Sequence, residues 1–154
     1  MRRVVVTGLG TINPLGSSVE SSWSSLINSE SGIKKIDTFD TEHYPCKIAA
    51  TVDDSFIDEN IVSSRDLRKI DRFIALGLIA ADEAIKDSGF ISDENSSLSS
   101  GVMVGSGIGG LDTIYRNSSV LDNQGIRKIS PFFIPSALIN LLSGHISIRY
   151  NLKG

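Results

Sequence analysis

Few side chains in this 154-residue chain are equipped for chemistry. Within Gly101 to Leu111 (GVMVGSGIGGL), the glycines at 105, 107 and 110 have the G-x-G-x-x-G spacing of a dinucleotide-binding turn. In such a turn the backbone amides at a helix start cradle a phosphate. The other candidates are a single cysteine, Cys46, two histidines, His43 and His145, and a basic run of Arg65, Arg68 and Lys69. Cys46 lies in YPCKIAA at the start of an expected strand, where alternation turns Lys47 to the opposite face. Without a cation or a helix N-terminus to activate it, Cys46 reads as a small semi-buried residue rather than a nucleophile. Neither histidine has metal-ligand spacing with Cys46 or with the carboxylates. His43 reads as a loop residue and His145 as a packing or interface residue on the last helix.

The elements that must position these residues alternate strand and helix, which indicates α/β layering. Arg3 to Thr7 (RVVVT) reads as a buried strand closed by Gly8 and Gly10, with a turn at Asn13, Pro14 and Gly16. Ser17 and Glu20 have the spacing of a capping box for a helix that buries Val19, Trp23, Leu26 and Ile27. Residues 33 to 46 read as irregular and 47 to 52 as a second strand. A long helix capped by Ser63 or Ser64 is expected to run to about Ser88, with Leu67, Ile70, Phe73, Ile74, Leu78, Ala81 and Ile85 as its apolar stripe and Gly89 at C′. The cations Arg65, Arg68 and Lys69 then fall in its first turns, where the helix dipole mildly disfavours them. Residues 93 to 100 read as a polar loop. Val102 to Val104 reads as a strand buried on both faces. A helix carrying Leu111, Ile114, Tyr115 and Leu121 follows. A final helix opens at Pro135 and carries Leu138, Leu141, Leu142, His145 and Ile148.

The composition bounds the function. Hydrophobic residues make up 40% and charged residues 21%, as in a globular domain, and the net charge of −3 argues against a chain-wide affinity for nucleic acid. No apolar run approaches the ~20 residues of a membrane helix. A single cysteine forms no internal disulfide and suits a reducing compartment, so a cytoplasmic protein without membrane attachment is expected.

The dinucleotide reading has the right spacing and the wrong context. A nucleotide-binding βαβ unit needs a second strand ending in an acidic residue about 20 residues downstream, to hold the ribose. After Gly110 the chain runs through a helix into Pro131-Phe132-Phe133-Ile134-Pro135, with no strand ending in Asp or Glu. A dinucleotide-binding domain is therefore the lesser alternative.

Four stretches in order, VVVTGLGTINPLG (4–16), DRFIALGLIAADEAIKDSG (71–89), VGSGIGGL (104–111) and RKISPFFIPSALINLLSGHISIRYNLKG (127–154), resemble the N-terminal part of the β-ketoacyl-[acyl-carrier-protein] synthase II family. These are condensing enzymes of type II fatty acid synthesis. The resemblance covers essentially the whole chain. It implies a thiolase-like layered αβαβα fold, of which residues 1–154 form an incomplete N-terminal half of the synthase domain. It also implies a homodimer. The implied chemistry is decarboxylative Claisen condensation of an acyl thioester with malonyl carried on acyl carrier protein, with no metal or organic redox cofactor.

The family's nucleophilic cysteine lies just beyond its equivalent of Leu152-Lys153-Gly154 and both its catalytic histidines lie further on. The resemblance therefore assigns no catalytic residue to this chain and implies that the chain alone is inactive. It places Ile108 at the acyl pocket as a chain-length gate and Phe133 at the far end of the partner's pocket. It assigns Arg65, Arg68, Lys69, Arg127 and Lys128 to contact with the acidic acyl carrier protein, which a basic patch would steer. A non-catalytic or vestigial carrier-binding protein is the main alternative.

Overall fold

The computed structural model describes residues 2–154. Among these residues it contains helices α1 (Val19–Ile27), α2 (Arg72–Ser88), α3 (Glu94–Ser99), α4 (Leu111–Gln124), α5 (Phe133–Ala137) and α6 (Leu141–Tyr150). An antiparallel pair, β1 (Ile33–Lys35) and β2 (Ile48–Ala50), is held in the register Ile33–Ala50, Lys34–Ala49 and Lys35–Ile48. The strand expected over 47–52 is β2, and its partner β1 lies at the start of a stretch expected to be irregular. Short 3-10 turns occupy Asp54–Phe56 and Ile126–Lys128.

Helix α2 is the axis of the molecule. It begins later than the sequence indicates, because Asp71 takes an extended conformation (φ −75°, ψ 158°) that cannot lie inside a helix, and its carboxylate accepts the Phe73 N–H. Residues 63–70 instead form hydrogen-bonded turns: the Leu67 N–H donates to Ser63 O at 3.0 Å and the Ile70 N–H to Asp66 O at 3.2 Å. Ser63 does cap, but it caps this turn, through the Asp66 N–H. The C-terminal expectation holds, with Gly89 left-handed at φ 64°.

The core lies between α2 and α6. Ile74, Ala75, Leu78 and Ile79 pack with Val62, Leu142, Ile146 and Leu152. Each large apolar side chain fully removed from water contributes about 1.5–3 kcal/mol. On another face of α2 lies the segment around Gly8 and Gly10. A Cβ on Gly10 would stand 1.9 Å from Ala80 O and one on Gly8 2.3 Å from Ala84 O, so the bare glycine backbone is what allows this approach.

Several sequence expectations are corrected. Residues 3–7 and 102–104 belong to no ladder, and Val4 and Met103 are 95% and 99% exposed. Strand character requires a neighbouring backbone to pair with, and among the described residues the only ladder is that of β1 with β2, although Val102 and Val104, half-buried, pack against the core. The α1 capping box is Ser18 with Ser21, not Ser17 with Glu20. Ser22 is the buried residue of α1, while Trp23, Leu26 and Ile27 are exposed, Trp23 and Leu26 bordering an open hollow.

Residues 93–100 are not a loop, since Asp93 and Ser96 form a capping box that starts α3. The final helix is two helices, because Leu138 turns extended after α5. In α4, the expected apolar face of Leu111, Ile114, Tyr115 and Leu121 is exposed. No helix among the described residues is long and apolar enough to cross a membrane.

Candidate functional site

The glycine loop has an open half and a clamped half. A Cβ on Gly105 or Gly107 would meet nothing within 4 Å. Gly109 is left-handed (φ 77°), and a Cβ there would lie 2.5 Å from Ile139 Cγ2. A Cβ on Gly110 would lie 2.7 Å from Ala137 Cα and 3.1 Å from Asp71 Oδ2. The Gly110 N–H donates to Ala137 O at 3.0 Å, so the end of the loop rests on the last residue of α5. Ile108 sits between the two halves and is 68% exposed. Phe133, half-buried, opens α5, and its N–H donates to Ser130 O. The segments of Ile108 and Phe133 are joined through the Gly110–Ala137 hydrogen bond.

The start of α4 is already occupied by an anion. Asp71, only 7% exposed, accepts the Thr113 N–H at 3.1 Å and the Thr113 hydroxyl at 2.6 Å through Oδ2. The earlier glycine turn is filled in the same way. Leu9 N–H donates to Asp87 Oδ2 and Thr11 N–H to Glu83 Oε2, both at 2.8 Å, while Glu83 Oε1 accepts the Val19 N–H. A phosphate at the start of α4 or at the amides of Leu9, Thr11 and Val19 would meet N–H groups already engaged and a carboxylate of its own sign, which weighs against the dinucleotide reading.

The basic run lies in the turns before α2, not in the helix, so the expected conflict with the helix dipole does not arise. Arg65 and Arg68 are exposed. Lys69 pairs with Asp66 at 3.3 Å. The Ser63 hydroxyl, and then Lys69, hold the Asp66 carboxyl below its ordinary range. Lys69 also borders a groove of about 410 Å³ with Ile70, Phe132, Pro135, His145 and Ile148. The groove brings the basic turn to the start of α5. Arg127 and Lys128 are exposed on the 3-10 turn between α4 and α5 and lie outside the groove lining.

His145 forms part of the groove wall, in keeping with a packing role, and His43 sits in an exposed turn. Cys46 is exposed, correcting the semi-buried expectation, and its Sγ donates to Ile48 O at 3.2 Å. The sequence reading missed Asp71 and Thr113. Asp71 carried a usable signal, an Asp immediately before an apolar helical run. Thr113 carried none.

The sequence profile described as "Beta-ketoacyl synthase, N-terminal domain" matches residues 1–154. The chain belongs to the β-ketoacyl synthase family. It is 44% identical to 3-oxoacyl-[acyl-carrier-protein] synthase 2 of Vibrio cholerae over 153 residues, covering 99% of this chain and 37% of that protein. The corresponding synthase of Coxiella burnetii is 45% identical over the same length and share. The chain thus spans a little over a third of the length of these relatives.

Among solved structures, a β-ketoacyl synthase from Burkholderia phymatum superposes with a TM-score of 0.78 at 22% identity, over 100% of this chain and 38% of that one. A ketosynthase solved with its type II polyketide acyl-carrier protein and bound to a hexaketide gives 0.72 at 27% identity, over 99% and 40%. The architecture is therefore the N-terminal portion of a thiolase-type layered α/β β-ketoacyl synthase fold.

Proposed function

We propose that residues 1–154 are the carrier-docking and acyl-pocket portion of a synthase that extends acyl chains by decarboxylative condensation with malonyl-acyl carrier protein in fatty acid synthesis. The observation that carries this reading is the 44–45% identity, over 99% of the chain, to enzymes named 3-oxoacyl-[acyl-carrier-protein] synthase 2. Arg65, Arg68, Lys69, Arg127 and Lys128 attract the acidic carrier. Ile108 gates the acyl pocket and Phe133 closes the far end of the partner subunit's pocket in a homodimer. The exposure of Arg65 and Arg68, and the open half of the glycine loop beside Ile108, support these roles.

The 154-residue chain by itself does not condense. Its one cysteine donates to a backbone carbonyl, and the resemblance to the family implies that the nucleophile and both histidines come from outside residues 1–154. In a condensing-competent synthase containing this segment, Ile108→Phe shortens the accepted acyl chains, since each buried CH₂ is worth about 0.8 kcal/mol. An unchanged chain-length profile rejects Ile108 as the gate. Formation of a β-ketoacyl product by the 154-residue chain rejects the claim of inactivity.

A further inference from the structure

Asp71 stands where three segments meet. It follows Ile70 directly, at the end of the turns that hold Arg65, Arg68 and Lys69. Its Oδ1 accepts the Phe73 N–H and so starts α2. Its Oδ2 accepts both the backbone N–H and the hydroxyl of Thr113, 42 residues away. Thr113 lies three residues after Gly110, where a Cβ would stand 3.1 Å from this carboxylate and 2.7 Å from Ala137 Cα. One buried carboxylate therefore ties the basic turns to the clamped end of the loop that bears Ile108. Asp71 and Thr113 line an open cleft together with Leu67, Ile70, Asp112 and Arg116. Among the described residues, the Asp71–Thr113 contact is the hydrogen-bonded connection between residues 63–73 and 105–116.

We infer that Asp71, held by Thr113, is a positioning residue that couples the basic turns at 63–70 to the Ile108 loop, so that displacement of one shifts the other. The inference rests on the roles proposed above for those two segments. The link itself is a property of this chain and can be tested without a carrier protein. A charge-assisted contact of this kind keeps two segments closed together, and losing it lets both open locally.

Amide hydrogen exchange on the 154-residue chain provides the test. In Thr113→Val, which removes the hydroxyl donor at nearly constant volume, exchange should accelerate about tenfold in both 63–73 and 105–113. Thr113→Ser, which keeps the hydroxyl, should leave both segments near wild type. Asp71→Asn should reproduce the two-segment pattern. Exchange in α6, which makes no hydrogen bond to residues 63–73 or 105–113, should remain unchanged, which separates lost coupling from general destabilisation. Acceleration confined to residues around 110–116 in Thr113→Val overturns the coupling, and so does uniform acceleration across the chain.

A second arm adds acyl carrier protein. Coupling predicts protection of 105–113 together with 63–70 in wild type, and of 63–70 alone in Thr113→Val. Absence of carrier binding counts against the docking role and leaves the coupling to be decided by the carrier-free arm.

Discussion

Gly77 and Leu142 set the distance between α2 and α6: a Cβ at Gly77 would lie 2.4 Å from Leu142 Cδ2 and 2.6 Å from its Cδ1. The core of the protein therefore depends on a missing side chain in the middle of a 17-residue helix. Gly77→Ala should destabilise the chain by about 1–3 kcal/mol through overpacking, despite the better helix propensity of alanine. In a Leu142→Ala background the same substitution should be neutral or stabilising, because the new methyl enters vacated space. Urea denaturation of the two single variants and the double variant measures this coupling, and additive effects would refute the packing account.

The α2–α6 contact also carries a titratable pair. Tyr150 donates to Asp82 Oδ1 at 2.7 Å, and Lys86 bonds Oδ2 at 2.6 Å. Burial pushes the Asp82 carboxyl up, but the hydrogen bonds from Lys86 and Tyr150 outweigh it and hold the group below its ordinary value. Burial, followed by the bond to Asp82, pushes the Tyr150 phenol above its ordinary value of 10.0.

The signs follow from linkage. The Asp82 contribution is present above the ordinary carboxylate pKa and is lost as pH falls through the lower folded value. The Tyr150 contribution is present below about pH 10 and is lost as pH rises through the higher folded value. Tyr150→Phe should flatten the alkaline decline in unfolding free energy and weaken the acid-side dependence due to Asp82. Unfolding free energies that keep the wild-type slope above pH 10 would contradict the assignment.

The glycine turns should not bind nucleotides. With Asp71 at the start of α4, Asp87 on the Leu9 amide and Glu83 on the Thr11 amide, titration with NADH or NADPH should give no saturable fluorescence or heat signal up to millimolar ligand. Saturable binding that Gly107→Ala abolishes would restore the phosphate reading of the loop.

The features legible in sequence were those with local signals. Gly89 ended α2 as expected, because a left-handed cap favours glycine at one position. The glycine-loop-to-helix order was also correct, and the capping box near residue 18 was misplaced by a single residue. The start of α2 was misread because Ser63 is a real cap of a lesser turn, and the turn's apolar residues Leu67 and Ile70 continue the helical spacing. The apolar runs at 3–7 and 102–104 have strand composition, but such a run does not disclose whether a partner backbone pairs with it. Asp71 and Thr113 meet across 42 residues, a relation that no window of sequence contains.

The most direct test of the central claim, that this segment is the carrier-docking part of a β-ketoacyl synthase, is titration with long-chain acyl-acyl carrier protein at low ionic strength. It compares wild type with Arg68→Glu, a change at an exposed residue. The account predicts saturable binding by wild type, about tenfold weaker binding by the variant, and a gap that narrows as salt is raised. Equal affinity of the two proteins, or no binding by wild type, would contradict it.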